Sequence, residues 1–421
     1  MNVGTELLQS QQKVSSVLRT FARGPALSLG SQAIGLAQLA LLLWRVGANE
    51  ATDAYFYLFN MGMLPIQIVV VGMMYPLLLN EEKITRTAMK RVRWLTPLLC
   101  CSLIIAGAAW LYASGRSGFA LLPIAIGSFL NAGLQARVWF RAVTAEAEGN
   151  PRWISGVALP ANGLAMMTLL LPIADATTAV VLMLIGLVLG NGTLLVVMSR
   201  LHVGDEVLRR APRSKSGKST APYWFLGKAG IGYIGLVVLQ SLAVLLPPSA
   251  VTLLNLAVKV VGSASATLVN SVMPILVHQN INSPSAGRRF LRVLVAGLTV
   301  ISAFGIGGVA LFLPDLTVPA ICLGLWSLSS AAAGAAQRMS FRFLKPSASR
   351  VTIIAVPVVV AFALWSVHMP AFQLVVLLCA YAGVDAATST LLLISLKDKL
   401  MATVLGSVLI GLAVIWVSTL A

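Results

Sequence analysis

The 421-residue sequence predicts an all-α polytopic membrane protein with twelve to fourteen spans. Its main body is read as two six-helix bundles, a parallel repeat around a central cavity. Four observations carry that reading. The chain is 58% hydrophobic and only 10% charged, where a soluble domain carries about 25% charged residues. Its apolar residues come in long blocks, and a helix needs about 20 of them to cross the hydrocarbon core; a barrel would alternate instead. The basic residues sort to alternate connections between the blocks, and short motifs of the first half return in the second at nearly one offset.

Residues 1–24 form a polar, basic arm in which Leu7, Leu8, Val14, Val17, Leu18 and Phe21 are spread among Gln, Ser and cations. This is the pattern of an amphipathic interfacial helix, without the short apolar core and small-residue cleavage site of a signal peptide. Thirteen apolar segments follow, at 25–46, 53–79, 94–114, 117–141, 153–173, 177–199, 223–246, 249–277, 290–312, 315–337, 351–368, 371–393 and 401–420. The first six make an N-terminal bundle over 25–199. A basic, Ser- and Gly-containing cytoplasmic linker covers 200–222, and a second six-helix bundle covers 223–396. Residues 397–421 add one further helix. Within the linker, Arg213-Ser-Lys-Ser-Gly-Lys-Ser219 echoes a phosphate loop, but it lacks the first glycine at the required spacing and no strand precedes it, so it reads as solvated chain. Pro65 and Gly72 interrupt segment two, and Pro247-Pro248 separates segments seven and eight. Breaks of this kind let transporter helices bend.

The net charge is +17. With the N-terminus taken as cytoplasmic, 26 of the 30 basic residues fall on the cytoplasmic side. The positive-inside rule therefore accounts for the charge, and no nucleic-acid partner is expected. Arg45 and Arg116 lie near the other side; Lys228 and Lys259 lie within segments seven and eight. The four cysteines, Cys100, Cys101, Cys322 and Cys379, sit in apolar segments as small hydrophobes. His202, His278 and His368 are scattered at segment ends. No disulfide framework, metal site or cofactor is expected. Most of the 13 acidic residues lie in loops, whereas a carboxylate-pair enzyme would bring two acids to one pocket.

The repeat rests on three matches. Segment four ends Ala132-Gly-Leu-Gln-Ala-Arg-Val-Trp-Phe-Arg141, and segment ten ends Ala333-Gly-Ala-Ala-Gln-Arg-Met-Ser-Phe-Arg342, sharing A-G-x-x-x-R-x-x-F-R at an offset of 201. Tyr75-Pro76 and Met273-Pro274 close segments two and eight at an offset of 198. Segments one and seven also start about 200 residues apart. Six spans separate the copies, so both have one orientation and are related by an axis along the membrane normal.

Lys259 is the most informative residue. A cation deep in a span costs roughly 2.5–3.5 kcal/mol on insertion scales and marks a functional site. It stands about ten residues from either end of its segment, too deep to snorkel easily. It either pairs with Asp385, the one acid well inside an apolar segment, as a structural or proton-sensitive contact, or holds a phosphate or carboxylate in the cavity. Lys228 is about one turn inside its span, where its stem reaches the interface or joins Lys259. Gln38, Asn60, Gln67, Gln240, Asn255 and Asn270 are the polar residues inside segments one, two, seven and eight. Interhelical hydrogen bonding is their common use. In helices that would line a cavity, Gln38, Asn60, Gln240 and Asn255 are also candidates for sugar contacts. Asp385 and Asp53, the latter at the mouth of segment two, are the candidate coupling or ion-pair residues; Arg45 and Glu50 are placed with Asp53 in an outer surface network.

At segments one and two the chain resembles the MurJ/MviN branch of the MOP (multidrug, oligosaccharidyl-lipid, polysaccharide) flippase superfamily. The likeness runs from Gly35 through Gly47-Ala48 and Thr52-Asp53-Ala54-Tyr55-Phe56 to Gly72, and returns at Leu254-Asn255-Leu256-Ala257-Val258-Lys259 and Pro274, about 90 residues in all. The resemblance places Lys259 where the family carries an arginine. Gln38-Leu39 stand where the family has Arg-Asp, Asn60 where it has an arginine, and Ile66 and Gln67 where it has further basic residues. The resemblance implies export of a polyprenyl-diphosphate-linked glycan, with cations near the diphosphate. The thinner charge fits a lipid-linked oligosaccharide or O-antigen-like unit better than lipid II.

The expected function is an alternating-access flippase in the bacterial inner membrane, a monomer among lipids, moving a lipid-linked anionic glycan from the cytoplasmic to the outer leaflet. A multidrug or cation antiporter of the same superfamily would need buried acids, a role only Asp385 fits. A membrane scaffold or a polymerising enzyme is the third class. A polymerase would carry large external loops with Arg or His, and the external connections here are short.

Overall fold

The computed structural model describes residues 27, 29–79, 84–116, 118, 121–150, 152–172, 175–212, 221–279, 285–343 and 350–420. Side chains at 221–223, 228, 264, 266–268, 270–279, 341–342 and 350–352 fall outside that description. The predicted arm at 1–24 and the linker's Arg213–Ser219 run also lie outside it. Among the described residues the chain is 88% helical, without strands, and has 13 helices of seven or more residues. Ten are long and apolar enough to cross a membrane, so the chain is a multi-pass membrane protein.

In order, α1 is Leu29–Val46 and α2 is Glu50–Pro65. A π-helical stretch, Ile66–Met74, leads without a break into α3, Tyr75–Leu79. Next come α4 (Arg86–Ala113), α5 (Leu121–Ala147), α6 (Arg152–Ser155), α7 (Leu159–Leu169), α8 (Ala176–Arg200) and the short α9 (Asp205–Arg210). The second half holds α10 (Ala221–Ala243), α11 (Ala250–Gln279), α12 (Ser285–Phe312), α13 (Thr317–Phe343), α14 (Arg350–Ser366), α15 (Leu374–Ser395) and α16 (Lys399–Leu420).

Local chemistry explains the starts and breaks. Asn49 caps α2: its side chain accepts from Ala51 and Thr52, while the Thr52 hydroxyl accepts from the Asn49 amide, a capping box that satisfies otherwise orphaned donors. Pro65 cannot donate to the helix ladder, and the π stretch starts at the next residue. Gly72 lies within that stretch; any Cβ there would strike Ala229 of α10, and α10 packs along the stretch. The predicted interruption of segment two is thus a change of helix type, not a gap. The predicted single span 153–173 differs more. It is split into α6 and α7 by a turn at 156–158, because Pro160 sits in the first turn of α7, where a missing N–H is tolerated but a continuous helix is not. The head of the predicted linker also differs. Residues 201–212 are packed down: Glu148 accepts from the Gly204 and Val207 amides at 3.2 and 2.9 Å, and Arg141 donates to the Val203 carbonyl at 2.8 Å.

The helices bury small and apolar faces inward. α7 lies closely on α8, where Gly186 and Gly190 meet the Ala165 and Ala161 backbone. Such close approach is what small residues provide between membrane helices. A Cβ at Gly190 would overlap Ala161 and the Pro160 carbonyl. Gly190→Val is therefore expected to lower the yield of monodisperse protein and its unfolding temperature, while Gly163→Val, which meets open space, is expected to change neither. One core cluster runs through both halves, from Leu39, Tyr55 and Phe56 to Leu254 and Ala380. A second joins α12, α13, α15 and α16 through Leu291, Ala335, Leu392 and Leu405. Large apolar side chains such as Leu98, Phe304 and Phe312 point outward, as lipid-facing residues do.

Candidate functional site

The two halves meet where α2 and the π stretch face α10 and α11. On α11, residues 252, 255, 259 and 263 recur at spacings of three and four, so they share one helix face. Three of the four bind the first half. The Thr252 hydroxyl donates to Asp53 Oδ1 at 2.6 Å and lies 2.9 Å from the Thr52 hydroxyl. Asn60 Nδ2 donates to Asn255 Oδ1. The Ser263 hydroxyl donates to Gln32 Oε1 at 3.1 Å. Lys259 lies between these contacts, half-buried, and forms no hydrogen bond or ion pair among the described residues. Beside this stripe the Tyr57 and Ser241 hydroxyls meet at 2.9 Å.

At the end away from most basic residues, Asp53 and Arg116 grip the α10–α11 turn. Asp53 Oδ2 accepts from the Ser249 amide and Oδ1 from the Thr252 amide, both at 2.8 Å. These are amides of the first turn of α11 and its flank, where unpaired donors and the helix dipole favour a carboxylate. Arg116 Nη2 donates to the Val244 carbonyl at 3.4 Å and to the Leu246 carbonyl, just past the end of α10, where a cation is favoured. The two side chains lie 3.7 Å apart. Ser249, inside this grip, holds a positive φ of 86°, a conformation uncommon outside glycine, asparagine and aspartate.

At the basic end the Tyr75 hydroxyl donates to Glu146 Oε1 at 2.8 Å, and Arg338 of α13 stands close enough to both to interact electrostatically. Contacts between the halves thus occur at both ends and in the middle.

The structure distributes the residues singled out from sequence unevenly. Lys259, Asn255 and Asn60 come together on the seam. Asp53 is there too, but it grips a helix start with Arg116, while Arg45 donates to the Leu171 carbonyl; the predicted Arg45–Glu50–Asp53 network does not form as an ion-pair set among the described residues. Gln38 turns into the first half, donating to Met183 Sδ at 2.8 Å. Gln240 lies beside Tyr381 in the second half, with its Oε1 buried and unpaired among the described residues. Asp385 accepts from Trp326 Nε1 at 3.0 Å; its predicted pairing with Lys259 is not formed. The side chains of Lys228 and Asn270 lie outside the described residues. Sequence reasoning missed Thr252, Ser249 and the role of Arg116. The signal for Thr252 was present, since Thr52 and Thr252 stand at the repeat offset and touch.

No family model and no curated protein matches the sequence. Among solved structures, a lipid II flippase MurJ in an inward closed conformation is similar, with a TM-score of 0.62 and 13% identity over 95% of this chain and 93% of that one. A chain called only protein A matches at a TM-score of 0.58 and 13% identity, over 91% and 95% of the two chains. A eukaryotic MATE transporter matches at 0.49 and 10% identity, over 94% and 98%. The first of these sets the class as one of fold: a multi-pass helical membrane protein built like a solved flippase. Within that class, the particular fold it shares is that of the MurJ flippase.

Proposed function

We propose that this protein is a MOP-superfamily transporter that flips a polyprenyl-diphosphate-linked glycan from the cytoplasmic to the outer leaflet by alternating access between its two halves. One observation carries the reading: of residues 252, 255, 259 and 263 on the α11 seam face, Lys259 is the one that forms no hydrogen bond or ion pair among the described residues. Its neighbours at 252, 255 and 263 are satisfied across the seam. A cation kept unpaired in a membrane interior calls for an anion that comes and goes, and a diphosphate between lipid and sugar is such an anion. When the seam parts, Asn60 and Asn255 lose each other and gain free amide groups one turn from Lys259, suited to sugar hydroxyls. Lys259 holds the diphosphate, and the polyprenyl chain stays in lipid.

Coupling is assigned to Asp385, a carboxylate inside α15 that accepts from the Trp326 indole and from the Ser330 hydroxyl. Taking up a proton or cation there would loosen those contacts. The same residue is what a cation antiporter would use, so the two readings part at the substrate.

The test is a mass-spectrometric profile of polyprenyl-linked lipids in cells depleted of the protein. Accumulation of one lipid-linked glycan supports the flippase and names its cargo. An unchanged profile, with no redundant homologue present, overturns it and transfers the weight to small-molecule export through Asp385. In the same assay Lys228→Ala is expected to give only partial accumulation, because a lysine one turn inside its span can reach the interface.

A further inference from the structure

The lipid-facing groove between α4 and α5 carries a second set of cations that the seam does not use. Arg137 of α5 stands over the Trp94 ring of α4, 5.6 Å from its centroid. Both side chains are exposed, Trp94 by 65%. Arg137 continues the outward apolar stripe of α5 that runs through Ile126 and Leu130, while Trp94 heads the outward stripe of α4 through Leu98 and Ile105. Arg137 therefore faces the surroundings of the protein and not its interior. Trp94 lies eight residues into α4, roughly 12 Å from its start at 1.5 Å per residue. That puts the ring where amphipathic aromatics sit, at headgroup level, with Leu98 in hydrocarbon below.

Arg93, next to Trp94 on α4, is also exposed and stands close enough to Arg141, one turn past Arg137 on α5, to repel it. Arg141 has its own acid, Asp205, at 3.4 Å. Arg93 and Arg137 have none, forming no ion pair among the described residues. Lys90 is exposed on the same helix, one turn nearer the basic end. Cations gathered without acids at the edge of a bilayer are matched by anionic headgroups, each such contact being worth about 1 kcal/mol near the surface.

We propose that this groove binds an anionic phospholipid, its phosphate held by Arg137 and Arg93 and an acyl chain laid along Leu98 and Phe129. The experiment is native mass spectrometry of the full-length protein from micelles containing equal phosphatidylglycerol and phosphatidylcholine. The wild type is expected to retain phosphatidylglycerol preferentially. Arg137→Gln is expected to lower that preference about fivefold, the equivalent of one basic contact, and Arg93→Gln to lower it less. Lys399→Gln, an exposed cation at the start of α16, is expected to leave it unchanged. A wild-type unfolding temperature in Arg137→Gln would show that the loss is one of binding. Full preference in both arginine variants overturns the site. Displacement of the bound lipid by excess free glycerol phosphate overturns the lipid reading, leaving a headgroup site alone.

Discussion

Lys259→Ala is expected to abolish transport while the protein remains in the membrane at wild-type level. The lysine has no partner among the described residues, so removing it orphans none of them, and it removes an insertion cost of roughly 2.5–3.5 kcal/mol. A variant at least as stable as the wild type yet inactive separates a binding role from a structural one. The readout pairs accumulation of the lipid-linked intermediate in complemented cells with the unfolding temperature of the purified protein. Lys259→Arg, which keeps the charge, is expected to restore part of the activity. Wild-type flux through Lys259→Ala would remove the site assignment.

Asp53→Ala is expected to open the end of the seam that Asp53 and Arg116 now close. Its carboxylate accepts from two amides and one hydroxyl at the start of α11. Losing a helix cap costs about 0.5–2 kcal/mol, and here the cost falls only on the closed arrangement, because α11 is capped by the other half. A shift of about 1.4 kcal/mol changes a two-state ratio tenfold. A cysteine placed at Val251, now buried, reports the change through labelling by a membrane-impermeant maleimide. Labelling should rise several-fold in Asp53→Ala and less in Asp53→Asn, whose amide oxygen still accepts. Equal labelling in all three would show that the grip does not hold this end shut. The native cysteines Cys100, Cys322 and Cys379 are buried, and Cys101, half-buried, is replaced by alanine in all three proteins to keep the background low.

Much of the fold was legible because membrane spans are written in one dimension. Apolar length alone predicted an all-helical chain of many spans, thirteen segments against ten helices long and apolar enough to cross among the described residues, and the break at Pro65 and the turn at Pro247-Pro248 follow from missing N–H groups. The split of 153–173 was not legible, since composition does not distinguish a span from a short helix entered through a turn. Within the site, Lys259 stood out by its cost. Gln38 and Gln240 did not declare their direction: an amide in an apolar helix looks the same whether it turns to its own bundle or to the seam, and only the three-dimensional phase of the helix decides. Arg116 was placed only near the side away from most cations, because its partners are carbonyls of a turn more than 120 residues away, contacts that leave no pattern in sequence.

The contacts that join the halves along α10 and the α11 face are short and mostly neutral: hydroxyl to hydroxyl, amide to amide, hydroxyl to amide. A neutral hydrogen bond exchanged for one to water changes the free energy by only about 1 kcal/mol, whereas separating packed apolar surface costs about 25 cal/mol for every Å² newly wetted. Such a joint behaves like a zip fastener with weak teeth. Each tooth fixes alignment, none stores much energy, and water can take the place of every one in turn. The polar teeth set the register of the joint, and most of the cost of parting the halves lies in the apolar surface that parting would wet.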